Sequence, residues 1–294
     1  MLSSCYRSQI MENKKIMRKY FPVFVLPTLI AFTVFFIIPF LMGFYLSFTK
    51  FKVITNVTFV GFKNYIRAFT VDHDFLHALR FTSIFTIVSV ITVNVFSFIL
   101  ALLLTNGIKG TNFFRSVFFM PNLIGGIVLG YIWNLLINGF LLHYFGEDIT
   151  FNSKYGFWGL IILTNWQLIG YMMVIYIAGL QNIPNDVLEA ASIDGSSPLR
   201  TLFKIKIPMV MPSITICTFL TLSNSFKMFD QNLALTNGAP GTDTEMLALN
   251  IYKTFYGRSG FQGVGQAKAV MFFIIVALIA FLQLKLTNKK EIEQ

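Results

Sequence analysis

The residues best equipped for chemistry sit at the end of an apolar run, in Thr218-Phe-Leu-Thr-Leu-Ser-Asn-Ser-Phe-Lys-Met-Phe-Asp-Gln-Asn232. Asn224, Ser225, Lys227, Met228 and Asp230 bring an amide, a hydroxyl, an ammonium, a thioether and a carboxylate into sequence otherwise apolar enough for lipid. If the segment is one continuous helix, Asn224, Lys227 and Gln231 share a face, as do Ser223, Lys227 and Asp230, so one side can line an aqueous passage. The alternative is a helix end emerging into an interface, with Lys227 and Asp230 paired at i,i+3. A second set, Tyr131, Trp133 and Asn134, offers aromatic faces and an amide. A sugar stacks its C–H faces on such rings and pairs its hydroxyls with the amide, although an aromatic belt at a membrane interface would use the same rings. No glycine loop with Lys-Ser/Thr for a nucleotide, nucleophilic triad or metal cluster is present. His73 and His77, at i,i+4 beside Asp72 and Asp74, lack a third strong ligand and read as part of a solvated external helix.

The elements that must position these groups are membrane spans. Of 294 residues, 55% are hydrophobic, 34 are Phe and only 12% are charged, a composition outside the range of soluble domains. The apolar runs are 21–48, 81–108, 116–146, 155–185, 207–226 and 269–284, against the roughly 20 residues that a bilayer core requires. The last run is short, but Lys268 and Lys285 can snorkel from its ends. Pro27 and Pro39 should kink the first span, and Pro121 with Gly125-Gly126 permits bending or close contact in the third. Asn165 and Gln167 in the fourth must both avoid lipid, yet residues two apart face opposite ways. At most one of them looks into a passage, and the other pairs with a neighbouring span.

Arg7, Lys14, Lys15, Arg18 and Lys19 precede the first span and place the N-terminus in the cytoplasm; six spans return the C-terminus to the same side. The formal charge of +10 is scattered among loops, which fits headgroup attraction and argues against nucleic-acid binding. Cys5 and Cys217 belong to different environments, so no disulfide is expected. The first apolar run is too long for a signal-peptide core, and no cleaved leader is expected.

Between the fourth and fifth runs lies a polar hairpin, Ile183 to Pro212. Asp186 and Glu189 have capping-box spacing, so a helix is expected to start at Asp186 and to end in the Asp194-Gly195 turn. Ser197 can cap a second helix with Pro198 at its first position, and Pro208 and Pro212 disturb the chain as it re-enters apolar sequence.

This hairpin, through Glu189-Ala190-Ala191, Asp194-Gly195 and Ile207-Pro208, resembles the EAA loop of permease subunits in binding-protein-dependent ABC importers, in the wording of the carbohydrate (maltose and multiple-sugar type) permeases. Weaker similarities reinforce it: Gly61-Phe62 with Asn64-Tyr65, Gly130 with Trp133, and Phe226-Lys227 to Phe229-Asp230 followed by Leu235-Thr236-Asn237-Gly238-Ala239-Pro240. Ala239 departs from the family's second glycine. The resemblance implies an all-α integral membrane fold of six transmembrane helices, the type I importer (MetI-like) fold with a cytoplasmic coupling helix. It implies a cytoplasmic tail over 1–20, a first transmembrane helix over 21–48, an extracytoplasmic segment over 49–80, a transmembrane domain over 81–287 with its coupling loop at 183–212, and a tail over 288–294.

By the same resemblance, Asp186, Glu189, Ala190, Ala191, Asp194 and Gly195 contact an ATPase subunit, and the polar positions around Asn224 to Asp230 contact a sugar. The implied partners are a second homologous permease, two ATPase subunits and an extracytoplasmic solute-binding protein. ATP and magnesium belong to the ATPases, and no cofactor is expected on this chain. A glycerol-3-phosphate permease looks similar, but an anionic substrate would want more cations than Lys227. A secondary transporter would need a coupling-ion site, and the spans lack an acidic residue near mid-depth.

Overall fold

The computed structural model describes residues 21–288 apart from Ile54, His73 and Ile108. The basic tail, Cys5, His73 and the C-terminal residues 289–294 therefore lie outside the described residues. Five helices are long and apolar enough to cross a membrane: α1 (Phe21–Leu46), α3 (Asp74–Thr105), α5 (Gly126–Phe145), α6 (Ser153–Gln181) and α12 (Gln262–Asn288). A further candidate span, fifth in chain order, is broken: α8 (Pro198–Met209) meets α9 (Met211–Phe226) at a 70° bend. Short elements fill the gaps: strands β1 (Thr49–Phe51) and β2 (Val57–Phe59) in an antiparallel hairpin, then α2 (Lys63–Thr70), α4 (Thr111–Phe119), α7 (Asn185–Ile193), α10 (Asp230–Leu235) and α11 (Leu247–Gly257).

The core is built where α3, α6 and α9 cross. Val93, Ala101, Met172, Met173, Tyr176 and Cys217 interlock there, and Tyr176 donates its hydroxyl to Asn94 Oδ1 at 2.7 Å. With lipid on the outside there is no hydrophobic drive between helices, so close packing and hydrogen bonds between spans hold the bundle. Glycines set its tightest approaches. A side chain at Gly170 would overlap the Phe118 backbone, and one at Gly179 would overlap Ser213 and Val210 at the bend between α8 and α9. By contrast α1 packs on little more than α12, through contacts such as Phe40 on Phe273 at 5.1 Å.

Three expectations about the spans change. The apolar run expected from 116 to 146 is not one helix: α4 ends at Phe119, a 3₁₀ turn covers Met120–Leu123, and Ile124 and Gly125 are extended before α5 begins. The fifth span does not continue through the polar stretch; α9 ends at Phe226 and α10 starts only at Asp230. Lys268 does not snorkel, because it is fully buried. Cys217 is a free, buried thiol.

Candidate functional site

At the break between α9 and α10 the chain packs closely against α5. Gly126 and Gly130 sit one turn apart, and a Cβ on either would lie 2.7 Å from Asp230 Cβ or Ala234 Cβ respectively. Their bare faces let α10 lie close against α5. Asn134, one turn further along the same face, donates to the Leu235 carbonyl at 2.7 Å, and Asn138 donates to Asn134 Oδ1 at 3.3 Å. Asn138 Oδ1 in turn accepts the Ile149 N–H. This amide ladder satisfies a carbonyl at the open end of α10.

The expected passage residues therefore divide. Asn224, Lys227 and Asp230 are exposed around the break, and Tyr131 is 60% exposed on α5. Trp133 is half-buried against Trp166, with ring centroids 5.7 Å apart. Asn134 is engaged with α10, whereas Ser225 is fully buried with no hydrogen-bond partner for its Oγ. Met228 is buried in the core, accepting the Thr164 hydroxyl at 3.8 Å. Lys227 lies at the C-cap of α9 and Asp230 at the start of α10, so the shared helical face expected for Asn224, Lys227 and Gln231 does not exist. The i,i+3 pair is missing too: among the described residues, Lys227 and Asp230 form no ion pair.

Both fourth-span amides turn out to be paired. Asn165 donates to Thr92 Oγ1 at 2.9 Å, and Gln167 donates to the Ile124 carbonyl at 3.4 Å while accepting from Gln231 Nε2 at 2.8 Å. Gln167 thus ties the extended Ile124 linker to α10. Its involvement was not readable without knowing that the fifth span breaks; the one available signal was the Gly-x-x-x-Gly spacing of Gly126 and Gly130.

At the opposite end of the bundle, α7 and α8 form the polar hairpin. The helix starts at Asn185 with Pro184 as its N-cap, one residue earlier than the capping-box spacing suggested, and no side chain caps it. Asp186 is instead in the first turn, where a carboxylate favours the helix dipole. The C-terminus follows expectation. Gly195 has φ +69°, the Ser196 N–H reaches the Ala191 carbonyl at 2.9 Å and the Gly195 N–H reaches Ser192 at 3.1 Å, a Schellman closure. Ser197 Oγ then accepts the Arg200 N–H at 3.4 Å, with Pro198 in the first helical turn.

The two alanines separate: Ala191 is buried, while Ala190, Glu189, Asp186 and Asp194 are exposed. Large apolar groups are exposed with them, Ile193 at 86%, Leu199 at 69% and Phe203 at 64%. Among the described residues there is no cluster of His, Cys, Asp or Glu suited to a metal.

Comparison with known proteins gives this geometry a family. The model of the family described as binding-protein-dependent transport system inner membrane component matches residues 80–290. The probable starch degradation products transport system permease protein AmyD of Thermoanaerobacterium thermosulfurigenes is 42% identical over 279 residues, covering 92% of this chain and 94% of its own. Among solved structures, a bacterial ABC transporter involved in import of the acidic polysaccharide alginate superposes with a TM-score of 0.79, at 17% identity over 95% of this chain and 99% of that one. A chain of the MetNI methionine ABC transporter, in an inward-facing conformation, gives 0.53 at 17% identity over 74% and 95%. These two similarities establish the fold, the type I importer arrangement. A polar hairpin closed by Gly195, a broken fifth span and this match over most of its length make the chain a multi-pass membrane permease of the binding-protein-dependent transport family.

Proposed function

We propose that this chain is one of two homologous permease subunits of an ATP-driven importer that passes a sugar or oligosaccharide delivered by an extracytoplasmic solute-binding protein. The observation that carries the reading is the α7–α8 hairpin. Joined at the Gly195 turn, its two helices expose Glu189 and Asp194 beside Ile193, Leu199 and Phe203. Apolar side chains this exposed beside carboxylates suit a partner protein's groove. Two ATPase subunits fill that role. They carry ATP and magnesium, and this chain contributes no catalysis.

The hairpin then faces the cytoplasm, the six crossings put both termini on that side of the cell membrane, and the Lys227–Asp230 break opens outward. Asn224, Lys227 and Asp230 stay on the surface of the single chain because the passage is completed by the second permease. ATP-driven closure of the ATPases moves the hairpin and exchanges inward and outward openings. A sugar suits this lining better than a phosphate ester, since among the described residues from 224 to 232 Lys227 is the one cation. The 42% identity to a permease for starch degradation products supports maltooligosaccharides as the first substrates to try.

The test is uptake of labelled maltotriose into proteoliposomes holding the complete complex with its binding protein. Uptake that requires internal ATP and the binding protein is expected. Uptake driven by a proton or sodium gradient without ATP would make the chain a secondary transporter instead.

A further inference from the structure

Lys268, in the first turns of the sixth span, is fully buried and spends all three N–H groups on side chains: Asp72 Oδ2 at 2.6 Å, Asn250 Oδ1 at 2.7 Å and Thr254 Oγ1 at 2.8 Å. From there a polar chain runs on. Asn250 Nδ2 donates to Glu245 Oε1 at 2.7 Å, Glu245 Oε2 lies 2.9 Å from Lys253 Nζ, and Lys253 donates to the Asn237 carbonyl at 2.7 Å. A second branch ties Arg258 to Asp72 at 3.1 Å and to Asp74 at 3.3 Å, while Thr242 donates to Asp74 at 3.3 Å. Three cations, Lys253, Arg258 and Lys268, meet three carboxylates, Asp72, Asp74 and Glu245, so the set is neutral as a whole.

Such a cluster is costly to bury and is often no more stabilising than apolar packing of the same volume. What it delivers is geometry. Its far end holds Asn237, which has φ +49° and follows α10 directly; the Asn237 N–H reaches the Asn232 carbonyl inside α10 at 2.8 Å. Gly238 is confined as well, since a Cβ there would lie 3.1 Å from Glu245 Cβ and 3.2 Å from Lys253 Nζ. The loop after α10 is therefore referenced to the sixth span and to the segment ahead of the second, and not only to its own neighbours in sequence.

We propose that Lys268 is a positioning residue for transport: through Asn250, Glu245 and Lys253 it fixes the loop that follows α10, and with it the outer edge of the passage. This rests on the reading that the Lys227–Asp230 break borders the passage. A merely structural pair would act on assembly; a positioning chain acts on transport in complexes that have assembled.

The experiment uses the complete complex in proteoliposomes, with its binding protein and maltotriose as the probe. It reads complex yield, basal ATPase, binding-protein-stimulated ATPase and uptake. Lys253→Gln, at a side chain 34% exposed, cuts the last link without opening the core. It is expected to assemble and retain basal ATPase while stimulated ATPase and uptake fall about tenfold, a usual size for coupling between sites. Lys253→Arg, which can still donate to both Glu245 and Asn237, should restore them. Lys268→Met combined with Asp72→Asn removes both charges of the fully buried Lys268–Asp72 pair and should reproduce the Lys253→Gln pattern. If that double variant does not assemble, Lys253→Gln decides alone. Normal stimulated ATPase and uptake in Lys253→Gln, or a fall in uptake matched by lost complex, would overturn the proposal. Lys227→Met is run in parallel: normal uptake there would remove the passage reading itself, whatever Lys253 does.

Discussion

The side-chain amide of Gln231 on α10 donates to Gln167 Oε1 on α6 at 2.8 Å, joining a short helix outside the regular spans to the most buried helix of the bundle. Gln231→Leu leaves that oxygen, on a Gln167 only 8% exposed, without its donor. A loss of about 1–3 kcal/mol in stability is expected, the usual cost of an orphaned buried polar group. Thermal unfolding of the purified complex in detergent checks it, and an unchanged midpoint would show that Gln167 finds another donor.

Gly130→Val should displace α10, because even the first added carbon would lie 2.7 Å from Ala234 Cβ. Overpacking of this kind costs about 1–3 kcal/mol. Uptake should fall more than complex yield, since the displaced element is the one beside Lys227 and Asp230. Gly139→Ala on the same helix meets nothing within 4 Å and serves as the silent control. Equal uptake in the two variants would contradict the close approach.

Asn224→Leu and Lys227→Met remove polar groups that are exposed at the break and, among the described residues, make no side-chain hydrogen bond. Both should assemble normally and lose uptake by roughly tenfold or more, consistent with one or two lost polar contacts to a solute. Ser225→Ala behaves differently. Its Oγ is buried and unpartnered, so removing it should leave stability unchanged or slightly raised, measured by the same unfolding assay.

What could be read from the sequence was what local chemistry fixes. Gly195 ends α7 and Ser197 with Pro198 starts α8 because both signals act within a few residues of themselves. Asp186 misled by one position, since Pro184, by fixing its own φ, was already an adequate place to begin the helix. The break after Phe226 was hidden for a different reason. The glycines that α10 packs against there, Gly126 and Gly130, lie about a hundred residues away, and the polar residues after Phe226 fit a continuous helix equally well. The third span misled likewise, because Pro121 to Gly125 interrupt the helix without interrupting the apolar run. Lys268 was read as snorkelling because its partner Asp72 lies 196 positions earlier and was taken for a solvated residue.

If the hairpin from Ile183 to Pro212 carries force between an ATPase and the spans, Gly195 is the position whose replacement tests it most directly. Its φ of +69° admits a β-branched side chain only with strain, although nothing lies within 4 Å to clash with it. Gly195→Val therefore re-aims α7 against α8 without disturbing the core, and Glu189→Gln removes a charge while keeping the shape. The deciding measurement is co-purification of the ATPase with each variant, together with ATP hydrolysis and maltotriose uptake in proteoliposomes. Both variants should reach the membrane at normal levels, with Gly195→Val binding the ATPase poorly or hydrolysing ATP without transport, and Glu189→Gln weakened in the same direction. Normal ATPase binding and normal ATP-driven uptake in both would contradict that role of the hairpin.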